Sequence, residues 1–413
     1  MRETEQPVER LLGHLFRHES GKMAAVLTNL LGSSRLDDVE DVVQDTLLKA
    51  LEVWKFKGVP ENPTAWLFTV ARRKAIDLLR HDRVRINRIP PETNEPSWPE
   101  TEHAIQDVML RFMFASCHPS IPPESQIAFT LRTLGGLSTQ EIAAAFMTSE
   151  ETIAKRIYRA KEKFRQERIT LEPPPADELP GRLDLVLKVL YLLFNEGYYS
   201  ANPAHVMRED LCAEAMRLTH LLVLQPLTNQ PQVRALLALM CFHASRFPAR
   251  ADDQNQIVLL EFQDRSKWSQ DLIRRGLVWL DKAAEGERLT EYHVEAAIAS
   301  VHAIAPTFAK TDWAGLRKLY DLLYEIKPTP AAALSRAIAI GYAESRPAGI
   351  EALKAIETPS PNQYYHMALG VFLADLGLKA DAQIQFSTAL HLTTSSAERQ
   401  LLQFRLSSLK VDK

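Results

Sequence analysis

The chain of 413 residues is 24% charged and 46% hydrophobic, which excludes both a small disulfide-stapled module and a wholly disordered polymer. A formal net charge of −3 removes any overall polycation character, so a nucleic-acid site has to be a local basic patch. Glycine is scarce at 15, alanine and leucine are abundant throughout, and the chain reads as all-α. At about 150 residues per domain the length suggests two to three domains. Residues 1–10 are polar and acidic, unlike a secretory signal, and no run of 18 apolar residues occurs. Cys117, Cys212 and Cys241 are too widely spaced for a disulfide framework or a four-ligand zinc set. A soluble, cytoplasmic protein is expected.

Residues 7–88 form the first helical zone. Asp37 and Asp38 precede Val39, Val42, Val43, Leu47, Leu48, Leu51 and Trp54. Three- and four-residue steps between apolar positions predict an amphipathic helix with acid at its positive end. Gly58 and Pro60 open a turn, and the next helix starts at Pro63 or Thr64 with Asn62 as N-cap. Its predicted apolar side is Trp66, Leu67, Val70, Ala71, Ile76 and Leu79. Its polar side carries Arg72, Arg73, Lys74, Asp77 and Arg80, followed by Arg83, Arg85 and Arg88. Those cations suit a solvated helix C-terminus. The mid-helix run at 72–74, beside Trp66 and Phe68, equally suits phosphate contact with base stacking.

Residues 89–106 form a polar, acidic linker whose four prolines forbid a helix and favour an extended, flexible chain. The second helical module, 107–170, contains a short helix from Ser138, with Glu141 three residues on completing a capping box. A turn at 147–149 leads into a longer basic helix. Ile153, Ile157, Ala160 and Phe164 make its inner stripe, and Thr152, Lys155, Arg156, Arg159 and Lys163 populate the outer faces. Short helix, tight turn and long basic helix is the helix-turn-helix pattern, whose second helix can enter a major groove. An ordinary helical hairpin with a solvated basic face is the other reading. Met147 stands where the turn usually has glycine, so either the turn differs or Met147 tolerates strain.

Three segments carry a family resemblance. Residues 38–50, DVEDVVQDTLLKA, resemble the polymerase-binding helix of bacterial sigma factors. Residues 62–80, NPTAWLFTVARRKAIDLLR, resemble the helix that reads the −10 promoter element, and 137–165 resemble the −35-reading helix-turn-helix. Their order and spacing are similar to the extracytoplasmic-function group, over residues 7–170. The resemblance implies that Asp41, Gln44, Asp45 and Leu48 meet core RNA polymerase. It implies a base-capturing loop at 58–62 with Asn62 and Trp66 beside it, Arg72, Arg73 and Lys74 on phosphates, and Asp77 and Arg80 on the same DNA-contacting helix. For the −35 element it implies Ser149, Glu151, Thr152, Lys155, Arg156, Arg159 and Lys163. An 18-residue linker reaches at most about 60 Å and one DNA turn is about 34 Å, so the two modules can occupy separate grooves.

A proline-rich break at 172–177 precedes residues 178–413, whereas the resemblance implies a chain that ends soon after the basic helix. Ala303, Ala337 and Gly370 align at steps of 34 and 33 residues, as do Gly315, Gly349 and Ala382, then Leu319, Leu353 and Phe386. This predicts a tetratricopeptide-like helical-repeat domain with a concave face. Residues 190–200, LYLLFNEGYYS, resemble a segment at the start of such extensions. They read either as a contact surface or as a helix end, broken or capped by Gly197, whose aromatics pack the first repeat.

No Gly-rich phosphate loop, His-Glu-x-x-His or nucleophile elbow occurs. Cys117 and His118 are adjacent but need not face each other. No catalytic residue, metal or cofactor is expected, and the chain is not read as an enzyme. The expected activity is that of a sigma factor directing core polymerase to −35/−10 promoters, modulated by its extension, with an intramolecular contact between repeat domain and sigma domains. The alternatives are a helix-turn-helix regulator that binds DNA without polymerase and an enzyme carrying a regulatory N-terminus.

Overall fold

A computed structural model describes residues 5–86, 98–99, 101–146, 148–199, 207–252, 257–356, 363–393 and 396–409. Among them one isolated bridge, between Ala251 and Ile257, is the sole β feature, and the rest is helix and connection. The described residues divide into two compact units, one within Met1–Asn202 and Arg208–Thr228, the other within Pro203–Met207 and Asn229–Lys413. No described helix is long and apolar enough to cross a membrane.

The first unit contains α1 (Glu5–Leu31), α2 (Leu36–Lys57), α3 (Pro63–Ile86), α4 (Glu102–Ser116), α5 (Pro123–Thr133), α6 (Thr139–Ala145), α7 (Glu150–Gln166), α8 (Leu179–Tyr198) and α9 (Glu209–Leu224). A run of buried residues, Met23 to Leu27, makes α1 the centre on which α2, α3 and α4 pack. Helix α2 buries Val39, Val42, Val43, Ala50 and Trp54, but Leu48 and Leu51 are exposed. At 100° per residue those two fall on the stripe of Asp41, Gln44 and Asp45, so they leave the predicted inner face. On α3 the buried residues are Leu67, Phe68, Ala71 and Ala75, while Trp66, Val70, Ile76 and Leu79 are half-buried. Phe68, read from sequence as an aromatic among the cations, is 7% exposed and sits edge-on to Trp98, with centroids 6.1 Å apart.

Helices α4 to α7 close around Phe112, Phe129 and Phe164, whose ring centroids lie 5.2–6.4 Å apart. On the inner stripe of α7, Ile153, Ala160 and Phe164 are fully buried and Ile157 half-buried. The capping box is present: the Ser138 N–H donates to Glu141 Oε2 at 2.6 Å and the Glu141 N–H to Ser138 Oγ at 3.1 Å. Met147 lies outside the described residues, as do Arg88 and residues 89–97 of the linker.

Helices α8 and α9 pack against each other, α8 also on α4 and α5, and α9 on α4. The buried Arg182 guanidinium reaches the Phe114 carbonyl at 3.4 Å. The buried Arg208, just before α9, forms an ion pair with Glu141 of the capping box. Gly197 neither breaks nor caps α8, which runs on to Tyr198. A Cβ there would stand 2.7 Å from Cys212 Sγ and 2.8 Å from the Arg208 carbonyl, so the glycine permits close approach of the α9 entry. Tyr198 stacks on Phe194 inside this pair of helices, and Tyr199 is exposed.

The second unit contains α10 (Pro231–Ala244), α11 (Phe247–Arg250), α12 (Gln270–Ala283), α13 (Glu291–Ile304), α14 (Trp313–Ile326), α15 (Pro330–Ala343), α16 (Arg346–Lys354), α17 (Gln363–Asp375), α18 (Lys379–Leu392) and α19 (Ser396–Ser408). Apolar nearly all round, α10 is buried under α12 and α13. From α13 to α19 each helix packs on the next among the pairs α13–α14, α14–α15, α15–α16, α16–α17, α17–α18 and α18–α19. The aligned small residues sit at close approaches. A Cβ on Gly349 would stand 2.5 Å from the Gly341 Cα, and one on Gly370 would stand 2.7 Å from the Phe386 ring. Copies two and three keep their phase along α15–α18. The first does not, because Ala303 lies in the last turn of α13 while Ala337 and Gly370 lie mid-helix.

Candidate nucleic-acid interface

Three surfaces of the first unit carry the residues singled out in the sequence. Helix α2 presents Asp41, Gln44, Asp45 and Leu48 on one exposed stripe, with Leu48 58% exposed. Leu51 and Phe56, the latter 85% exposed, extend its apolar part. Sequence periodicity had assigned Leu51 to the core and passed over Phe56; their i+3 and i+4 steps from Leu48 and Glu52 were the available signal. Acid and exposed apolar side chains on one helix face make a surface suited to a protein partner. Gly58 ends the helix at φ +77°, donating its N–H to the Trp54 carbonyl at 3.0 Å. That left-handed conformation sets the turn into α3.

Asn62 caps α3, its Oδ1 accepting the Ala65 N–H at 2.9 Å. From this cap the stripe Asn62, Thr69, Arg72, Arg73 and Ile76 runs along a cleft of about 660 Å³ whose far wall is Trp98, Pro99 and Ile105. The Arg72 guanidinium lies 5.9 Å from the Trp98 ring centroid, a cation–π distance. Thr69 and Trp98 were missed in the sequence; Thr69 is the i+7 neighbour of Asn62, and Trp98 stands alone among polar residues and prolines. Trp66 points elsewhere: its ring meets Trp54 edge-on at 5.4 Å, and Trp54 in turn lies 5.8 Å from Phe16. Lys74 is tied to Asp45 of α2 at 2.7 Å, so a residue expected on phosphate holds one expected on polymerase. Asp77 and Arg80 are exposed, 3.8 Å apart.

Helix α7 begins at Ser149, whose Oγ accepts the Thr152 N–H at 3.2 Å and shares a 2.9 Å hydrogen bond with the Thr152 hydroxyl. Lys155, 2.7 Å from Glu151, and Arg159 occupy the exposed face. Arg156 is 19% exposed, 3.4 Å from Glu124 of α5 and over the Phe146 ring. Lys163 pairs with Glu167 at 3.4 Å. The end of α7 also meets the start of α2. Lys161, 14% exposed, lies 2.9 Å from Asp37 and 2.8 Å from Glu40, and Arg165 lies 3.1 Å from Asp37. Burial opposes the Lys161 charge, but the hydrogen bonds to Glu40 and Asp37 outweigh it and raise its pKa.

Elsewhere, burial pushes the Cys117 thiol up to about 12, so beside His118 it carries no thiolate. His293 caps α13 with Thr290, and His366 bonds Gln385 at 2.7 Å. Among the described residues no group of three or more His, Cys, Asp or Glu is placed to hold a metal ion.

Known proteins match these same segments. Residues 15–85 match sigma-70 region 2, residues 111–164 match sigma-70 region 4, and residues 182–284 match a family of unknown function, DUF6596. An uncharacterized protein of Rhizobium meliloti is 35% identical over 91% of each chain. The ECF RNA polymerase sigma factor SigL of Mycobacterium tuberculosis is 32% identical over 32% of this chain and 74% of its own. The ECF RNA polymerase sigma-E factor of Salmonella typhimurium is 31% identical over 34% of this chain and 78% of its own. No solved structure matches.

Proposed function

The chain belongs to the extracytoplasmic-function family of RNA polymerase sigma factors, and on that premise we propose that it binds core polymerase through α2 and directs it to −35/−10 promoters. Its site of action is the cytoplasm, and it performs no chemistry of its own. One observation carries the reading: a single unit holds an acid-and-apolar stripe on α2 together with two exposed basic faces, on α3 and α7. A regulator that binds DNA without polymerase has no use for the α2 stripe. The α3 cleft, with Asn62 at its mouth and Arg72 and Arg73 along its wall, suits a single strand at the −10 element, its bases against Trp98 and its phosphates on the guanidiniums. Lys155 and Arg159 on α7 suit the −35 major groove, with Ser149, Thr152 and Glu151 at the end that enters it.

In this reading the two faces engage separate groove segments, while Lys161 and Arg165 hold the end of α7 on the start of α2. Release of Lys161 and Arg165 from Asp37 and Glu40 is therefore part of the working cycle in this reading. The extension acts on that step, a role supported by the packing of α8 and α9 on α4 and α5 and by the Arg208–Glu141 pair. Transcription from a promoter library with purified core polymerase tests the proposal on the full chain. Specific transcripts are expected; no transcript and no co-purification with core would overturn it, and promoter binding without core would favour the polymerase-independent regulator. A chain cut after residue 228, which keeps α8 and α9 in place, gives the sign of the effect of the second unit.

A further inference from the structure

The second unit holds a solvent-open cavity of about 320 Å³ between α13, α14, α15, α17 and α19. Its wall is aromatic. Trp313 and Tyr342 stack with centroids 4.3 Å apart and planes at 17°. Phe308 stands edge-on to both, at 5.2 and 5.5 Å, and Phe372 stands edge-on to Tyr342 at 5.7 Å. His302 meets Trp313 edge-on at 5.7 Å, and burial pushes its pKa down to about 4, so it adds no charge at neutral pH. Among the lining residues the two permanent charges, Glu261 and Arg405, form an ion pair with each other, tying α19 to the turn Leu260–Phe262. The face of Tyr342 away from Trp313 is covered by the Arg346 guanidinium, 4.1 Å from the ring centroid and paired with Asp375 at 2.7 Å, so the wall presents aromatic rings with no unpaired charge.

Size and wall chemistry select the occupant. An apolar cavity of about 150 Å³ takes one benzene. The space here is about twice that, room for two or three fused rings and too little for a peptide long enough to be read by sequence. Flat rings gain from edge contacts with other rings, and the rim of the Trp313–Tyr342 stack offers them. A charged ligand would have to break the Glu261–Arg405 pair to find a counter-ion. We propose that this cavity binds a neutral, planar aromatic compound of two or three fused rings, packed against Trp313 and Tyr342.

Titration of the full chain with N-phenyl-1-naphthylamine, a neutral aromatic whose emission rises in apolar surroundings, tests this without polymerase or DNA, so it stands or falls apart from the promoter reading. Saturable one-to-one binding is expected, with tryptophan-excited transfer to the probe that Trp313→Phe lowers. Ala368→Phe and Leu401→Phe, each filling the cavity, should weaken binding at least tenfold with the melting temperature kept. 2-Naphthoate, an anionic two-ring compound, should bind at least tenfold more weakly. Absence of saturable binding, transfer undiminished in Trp313→Phe, or unchanged affinity in a folded filled variant would overturn the site. Equal affinity for 2-naphthoate would overturn the neutral class.

Discussion

Helices α3 and α7 look alike in sequence: each is a basic helix with an apolar stripe, and each was expected to meet DNA. In the folded unit their cations divide differently. On α3, Arg72 and Arg73 stand along an open cleft while Lys74 is committed to Asp45. On α7 only part of the basic face is open. Lys155 and Arg159 are exposed, Arg156 is held by Glu124, and Lys161 and Arg165 are held by the start of α2. A count of cations on a helix thus overstates what is available to a phosphate, because some balance carboxylates of neighbouring helices. The α3 face is ready for a ligand, and the α7 face is partly spent on internal contacts.

The largest expected effect lies next to both faces, on α2. Leu48→Arg should weaken core polymerase binding at least tenfold, about 1.4 kcal/mol, leaving the unfolding temperature nearly unchanged because the side chain is exposed. Co-sedimentation with core checks this, and unchanged binding would remove α2 from the interface. On the α3 face, replacing Arg72 and Arg73 together by alanine should flatten the salt dependence of −10 binding by about two phosphate equivalents, and Lys74→Ala by less than one. A change in slope for Lys74→Ala equal to half that of the double variant would erase the distinction between open and committed cations. On α7 the same logic predicts that Arg159→Ala lowers the slope of −35 binding by about one and Arg156→Ala by clearly less. Arg156→Ala should instead lower the unfolding temperature by more than Arg159→Ala, since Arg156 packs between Glu124 and Phe146.

A further effect lies away from both faces and serves as their control. Burial, with Arg246 and Arg250 nearby, pushes the His243 pKa down to about 3, so the folded chain holds it neutral. The unfolded chain protonates it below about pH 6.5, so its contribution is fully present above that pH and is lost as pH falls, by up to about 1.4 kcal/mol per unit. His302, held near 4 by burial and by Arg246 and Arg265, acts in the same direction. Unfolding of the chain between pH 7.5 and 5.5 should shift to lower temperature, and His243→Leu should reduce the shift. A flat profile would show that neither histidine stays neutral.

Much of this protein is legible in its residues. Asn62, Pro63 and Gly58 mark the α2–α3 turn because capping and positive φ depend on single residues and their neighbours. Ser138 and Glu141 declare the capping box for the same reason. The helix-turn-helix and the paired helices of the extension follow from apolar spacing. The inner face of α3 was read one position off, since Trp66 and Phe68 are both large and apolar and only packing against α1 and Trp98 decides between them.

What the sequence determined by itself is therefore local: all-α structure, helix ends, the order of the region 2 and region 4 segments, and the 33-residue phase of the later hairpins. Those properties arise within a turn or two of chain. What only the tertiary structure decided is which side chains remain available. The Lys161 contacts with Asp37 and Glu40 span more than 120 residues, and the Arg208–Glu141 pair spans 67. The aromatic cavity gathers residues from Leu259 to Arg405. Ion pairing and stacking act through space at a few ångströms, and a linear pattern carries no record of which distant partner will stand there.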